Sequence, residues 1–316
     1  MKKIILLAFI TAGLAGCNRS PEFYFSRGNY QLSAGQQAKA LENYNKALLL
    51  KRNYPEALTS RGLLYEGQGD RQKAGLDYRK AIELNPGYLP AYNNLGAMFM
   101  DGGNYRDAVK LFTEALSAKP DYSLALLNRG LAYYKMGDCA SATADLSHAL
   151  SLNDKFELAY YHRALCARKA RNLPAVMKDL AALLQLNPAA VLARFELGKV
   201  LYSQKAYGES AQEFLKAAEL KPAEPIYSYW LGLAYYRSAA LEDALLAASK
   251  AVELKPDSFQ VRGLLGDVYA GLGDRKNAAE QYKMAARLSP KYADLYNSRL
   301  KALQGPARRT SRNRGR

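Results

Sequence analysis

Histidine and cysteine carry much of the metal and nucleophile chemistry open to a protein, and this 316-residue chain holds two of the first and three of the second. Neither His148 nor His162 stands in a metal-binding motif, and both read as structural or surface residues. No paired acid and base, activated nucleophile or metal set rises above background, so no catalytic residue, no metal, no cofactor and no enzyme is expected. The composition is globular: 49% apolar residues, 24 tyrosines, and 45 Lys and Arg against 29 Asp and Glu for a net charge of +16. With so little side-chain chemistry, function is expected to reside in surfaces.

The first segment reads as an address. Lys2 and Lys3 precede an apolar run from Ile4 to Ala12, and Leu14-Ala15-Gly16-Cys17 closes it with small residues before a cysteine. As a helix, residues 4–16 would rise roughly 20 Å, short of the ~30 Å needed to span a bilayer. The layout resembles a bacterial lipoprotein signal. That resemblance implies cleavage before Cys17 and lipid attachment to it, whereas an ordinary secretory leader would leave Cys17 idle. Residue 18 is Asn rather than Asp. In such lipoproteins Asp favours retention in the inner membrane, so the resemblance implies the periplasmic face of the outer membrane.

The elements behind any surface follow one period. Glycines at 28, 62, 96, 130, 198, 232 and 266 lie on a 34-residue grid, with Ala164 in the single gap. Nineteen residues after each stands a small residue, Ala47, Ala81, Ala115, Ala149, Ala217, Ala251 and Ala285, with Leu183 the exception. Five further on come Pro86, Pro120, Pro188, Pro222, Pro256 and Pro290, which stop a helix and turn the chain. Gly35, Gly69, Gly103, Gly137 and Gly273 are placed to end a first helix, and Asp70, Asn104, Asp138 and Asp274 to cap a second. These positions resemble the tetratricopeptide repeat. The resemblance implies an all-α, right-handed α-solenoid of eight helix-turn-helix units over 21–290, with a capping helix at 291–304. A signal peptide is expected at 1–16, a lipidated start at 17–20 and a basic disordered tail at 305–316.

In that family the first helices line a concave surface. Transferred position by position, repeats one to three place a polar, partly acidic set there, including Glu22, Asn29, Glu56, Thr59, Glu66, Asn93 and Asp101. Later repeats offer Leu124, Leu158, Leu192 and Ile226 and an expected partner-binding groove: Leu127, Leu131, Tyr134, Lys135, Tyr161, Leu165, Arg168, Phe195, Lys199, Tyr202, Tyr229, Leu233, Tyr236 and Arg237. Rigid aromatics can grip a peptide and the cations can meet carboxylates; the alternative is that superhelical winding buries much of this stripe. The Lys, Asn and Arg set with which some tetratricopeptide domains clamp a C-terminal carboxylate is incomplete here.

Repeat five departs from the pattern at Ala164, Ala167, Val176 and Leu183, with Pro174 near its second helix. Cys139 and Cys166 stand at helix ends expected to be neighbours, which makes a disulfide possible in an oxidising compartment; the alternative is two small buried residues. Arg308, Arg309, Arg312, Arg314 and Arg316 are expected either to sit in solvent or to attach weakly to an anionic membrane. Nucleic acid is not an expected partner outside the cytoplasm. The expected function is a lipid-anchored periplasmic scaffold that binds proteins during assembly of an envelope complex, of the pilus and secretin or cell-wall hydrolase type. The alternative is a component of an exopolysaccharide export system.

Overall fold

The computed structural model describes residues 19–304. Cys17, the leader and the arginine-rich 305–316 segment lie outside the described residues. Within them, regular structure is entirely helical: α1 (Pro21–Ser33), α2 (Gln37–Leu50), α3 (Pro55–Gly67), α4 (Arg71–Leu84), α5 (Leu89–Asp101), α6 (Tyr105–Ala118), α7 (Ser123–Met136) and α8 (Cys139–Leu152) form four pairs of a first unit that ends at Asp154. The second unit carries α9 (Glu157–Lys169), α10 (Leu173–Leu186), α11 (Val191–Ser203), α12 (Tyr207–Leu220), α13 (Pro225–Arg237), α14 (Leu241–Leu254), α15 (Phe259–Gly271) and α16 (Arg275–Leu288). A 3₁₀ turn at Pro290–Tyr292 then leads into α17 (Ala293–Gln304), which packs on α16. Inside each unit a helix packs on its pair partner and then on the next pair, the arrangement of a tetratricopeptide solenoid.

Each pair is made by local signals. Ser20, Asp70, Asp138, Asn172 and Asp274 accept a hydrogen bond from a backbone N–H in the first turn they cap. Asn104 makes no such bond, contrary to the expectation for it. Pro174 falls in the first turn of α10, where a missing N–H costs no hydrogen bond.

The turn inside each pair needs one left-handed residue, and Gly137 (φ +87°) supplies it in repeat four. Repeats five to seven put Arg171, Lys205 and Ala239 at the same register, with φ of 57°, 64° and 64°. Left-handed backbone costs an L-residue about 1 kcal/mol or more. Ala239→Gly is therefore expected to raise stability by about 0.5–1 kcal/mol after the extra entropy of glycine in the unfolded chain is subtracted. Urea denaturation checks this.

The grid residues form the core. The first-helix glycine is a notch for a large side chain sixteen residues later: Tyr44 on Gly28, Tyr78 on Gly62, Phe112 on Gly96, Leu146 on Gly130, Phe214 on Gly198 and Tyr282 on Gly266. Repeat five fills the same place with Ala164 and Leu180, both buried, and the larger Val176 and Leu183 complete that cluster. Its departures are thus mutually compensating. Buried arginine pairs add ties: Arg61 holds Asp77 through Nε and Nη2 and reaches Asn45 of the preceding repeat, and Arg129 holds Asp145 in the same way and reaches Thr113.

Candidate partner-binding faces

In the first unit much of the polar lining is used up internally. Tyr44 and Tyr78 are fully buried rings whose hydroxyls need an acceptor, and they donate to Asn29 (2.7 Å) and Glu66 (2.8 Å). Burial and the Glu66 carboxylate push the Tyr78 phenol well above its ordinary range. Phe112 in repeat three needs no acceptor, and the positions equivalent to Asn29 and Glu66 are there Ala97 and Met100; Asn93, at the register of Thr59, accepts from Asn128 of the next first helix at 2.7 Å. Glu22 is engaged by Lys51. Thr59 is buried and its hydroxyl has no hydrogen-bond partner. Asn29, Glu66 and Asn93 are therefore held by hydrogen bonds within the fold.

Of the expected groove, Leu127, Leu131, Tyr134 and Lys135 belong to the first unit and the other ten residues to the second. Leu127 and Leu165 are buried and offer no surface, which corrects the expectation for both. For Leu127 the reason is winding: the successive first helices α5 and α7 approach closely enough to cover residues between them. Leu131, Tyr134, Tyr161, Phe195, Lys199, Tyr202, Tyr229, Leu233 and Tyr236 are half-buried, and Lys135, Arg168 and Arg237 are exposed. The most open apolar residues of these helices in the second unit are Leu158, Leu192 and Ile226, one per repeat at 34-residue intervals.

The second unit gathers aromatic rings around Trp230, which was absent from the expected groove. Phe195, Tyr202, Phe214 and Tyr229 lie 5.5–6.2 Å from it, centroid to centroid. Lys199 stands over the Phe195 ring at 4.6 Å and pairs with Glu196, which also takes Arg168. One buried carboxylate thus offsets one of two cations, leaving net positive charge beside the rings. Arg237 donates from Nε to the Tyr202 hydroxyl at 3.2 Å. A cavity of about 270 Å³ opens between the starts of α13 and α15, lined by Ile226, Tyr229, Lys255, Ser258, Gln260 and Val261 among others. Burial raises the Tyr229 phenol above its ordinary range. At the end of this unit Asp267 accepts from Tyr282 and pairs with Arg299 of α17, and burial still lifts its carboxyl above the usual carboxylate range.

Cys139 and Cys166 are free thiols in the structure, the arrangement given above as the alternative to a disulfide between them. Cys166 is 2% exposed and serves as a small buried residue of α9, while Cys139 is half-buried at the first position of α8. His148 approaches Asp121 through Nε2 at 3.0 Å on an exposed surface. Among the described residues no helix is long and apolar enough to cross a membrane.

Paired helices on a strict period, glycine notches and ring-filled interfaces define a helical repeat protein. Family models agree: "TPR repeat" matches residues 28–69, 96–137 and 198–238, and "Tetratricopeptide repeat" matches 55–88 and 231–293. Together these segments cover more than half of the chain, which belongs to the tetratricopeptide-repeat family. A "Prokaryotic membrane lipoprotein lipid attachment site" model matches residues 1–18. No curated protein matches the chain. Among solved structures it is similar to pilF of Pseudomonas aeruginosa (19% identity, TM-score 0.60, 70% of this chain and 96% of that one). It is also similar to YrrB, described as a TPR protein with an unusual peptide-binding site (22%, TM-score 0.53, 58% and 95%). A tetratricopeptide repeat protein from Parabacteroides merdae aligns over 79% of this chain and 98% of its own (21%, TM-score 0.53). At these identities the likeness is one of fold.

Proposed function

We propose that this protein is a lipid-anchored scaffold of a bacterial envelope, attached through Cys17 on the periplasmic face of the outer membrane, which binds a protein segment on the first-helix face of its second unit. The observation that carries this reading is the regular row of exposed Leu158, Leu192 and Ile226 beside the rings around Trp230 and the cations Arg168, Lys199 and Arg237. An open apolar row flanked by rings and positive charge suits a segment with aliphatic anchors and carboxylates. The peptide-binding site in the description of YrrB supports binding of a protein segment, and the role proposed for that binding is assembly of an envelope machine, of the pilus and secretin or cell-wall hydrolase type. No catalytic role is proposed: the buried acids Asp77, Asp145 and Glu196 are spent on structural ion pairs.

Crosslinking the protein in native membranes and identifying what it captures tests this reading. Tyr161→Ala with Tyr236→Ala, both half-buried, is expected to lower capture of the true partner about tenfold or more while helical content persists, the loss of two aromatic contacts. Undiminished capture by a folded double variant would move the binding face elsewhere. Enrichment of polysaccharide-export proteins would favour the export reading, since stacked rings also suit sugar polymers.

A further inference from the structure

The first repeat leaves open a face that every other repeat closes. In α3 and α5 the residues at this register meet the preceding second helix: Ala57 packs with Ala47 and Leu48, Leu64 with Ala40 and Tyr44, and Met98 with Ala74 and Tyr78. The equivalents of Ala57 and Leu64 along the chain, from Ala91 and Ala132 to Val261 and Val268, are all 8% exposed or less. In α1 the same two positions are Phe23, 39% exposed, and Tyr30, 74% exposed. Solenoid ends are ordinarily finished with polar residues. Here the end carries two aromatics, with Arg27 between them on the same i, i+4, i+7 face and Arg19 over the Phe23 ring at 4.4 Å.

The end of α2 lies beside the start of α1, as the Lys51–Glu22 pair and Lys46 over Tyr24 show, and there Leu49 and Leu50 are exposed too. From Arg19 to Tyr54 the repeat has six cations, Arg19, Arg27, Lys39, Lys46, Lys51 and Arg52, against Glu22 and Glu42, each of which is taken by a lysine. Exposed aromatics interleaved with arginine and lysine suit the headgroup layer of a bilayer that contains anionic lipid.

We infer that this open end of the first repeat rests on the lipid surface to which the chain is anchored. The inference rests on the anchoring at Cys17 proposed above. Three residues lie between Cys17 and Pro21, so the four Cα–Cα steps reach at most about 14 Å. A lipid on Cys17 therefore holds the start of α1 within that distance of the bilayer, and Arg19 and Phe23 are the first members of the aromatic and basic face along the chain. The anchor and the face act together, so the protein is oriented by its first repeat rather than swinging on a tether.

The test uses the acylated full-length protein reconstituted in vesicles of phosphatidylethanolamine and phosphatidylglycerol, with and without bromine on the acyl chains near the headgroups. Phe23→Trp and Tyr30→Trp each place a reporter at an exposed position, read as the emission added over the native Trp230 signal. Brominated lipid is expected to quench the added emission about twofold or more in both variants, and Arg27→Glu is expected to weaken that quenching. Intact mass establishes acylation independently. Unquenched reporters on a protein whose Cys17 is acylated would overturn the inference and leave the anchor standing, and a crosslink between Tyr30 positions of two copies would assign the face to a dimer instead. An unmodified Cys17 would remove the anchor and this inference with it.

Discussion

Gly96→Ala is expected to destabilise the first unit by about 1–3 kcal/mol, although alanine is the better helix former by about 1 kcal/mol. A Cβ on Gly96 would stand 2.5 Å from Cε1 and 2.7 Å from Cζ of Phe112. That ring is fully buried, so it has no solvent-filled space into which to move. Other repeats show how the clash is relieved. Repeat five carries Ala164 with Leu180, and repeat seven keeps glycine at 232 but has only Ala248 opposite. Phe112→Leu in the Gly96→Ala background should accordingly cost less than the sum of the two single changes, a coupling of about 1 kcal/mol or more in a double-mutant cycle. Urea denaturation measures it, and hydrogen exchange in α5 and α6 localises it, because stability in a repeat protein is shared with neighbours rather than spread over the whole chain. Strict additivity would mean that the notch is not what couples these positions.

The second large effect is expected at the arginine ties. Arg129→Ala removes both hydrogen bonds to Asp145, at 2.7 and 2.9 Å, and leaves a carboxylate that is 7% exposed without its cation. Stranding a buried charge in this way costs about 3–5 kcal/mol. It also cuts the bond to Thr113, so α6 loses a link to α7. The Asp145 hydrogen bond holds the Arg129 guanidinium even further above its ordinary pKa, so the arginine stays charged wherever the protein is folded. Arg129→Met with Asp145→Leu, in contrast, is expected to lie within about 1 kcal/mol of the native protein, since two apolar chains of similar size need no partner. A thermal melt of the single and double variants separates these outcomes. If the double variant were as unstable as Arg129→Ala, the loss would reflect packing of the arginine stem rather than an abandoned charge.

Much of the fold is legible in the sequence because its signals are local and repeated. Proline stops, turn glycines and capping Asp residues act within a few residues of themselves, and eight copies on one 34-residue period make each signal recognisable. Trp230 shows where that legibility ends. It lies one place after Tyr229, outside the positions transferred from the family, yet four rings gather around it. Asn29 and Glu66 show the opposite error: they read as lining residues, but each is the acceptor that a buried tyrosine fifteen or twelve residues later requires. The need for an acceptor could have been noticed from Tyr44 and Tyr78 recurring where repeats three and six have Phe112 and Phe214.

By itself the sequence determines the repeat period, the turn glycines and helix-stopping prolines and the lipoprotein-like leader, since each depends on chemistry within one repeat or one short segment. Only the tertiary structure decides which side of each helix remains open. Leu127 and Leu165 are buried, whereas Leu158, Leu192 and Ile226 on the same helices or their neighbours are exposed, and nothing in the residue types separates the two sets. The same holds at the end of the chain's first repeat, where Phe23 and Tyr30 occupy positions that pass for core in any single repeat. They are surface because the described structure holds no preceding second helix to cover them, and whether a face is covered is a property of neighbours in space rather than of residues in a row.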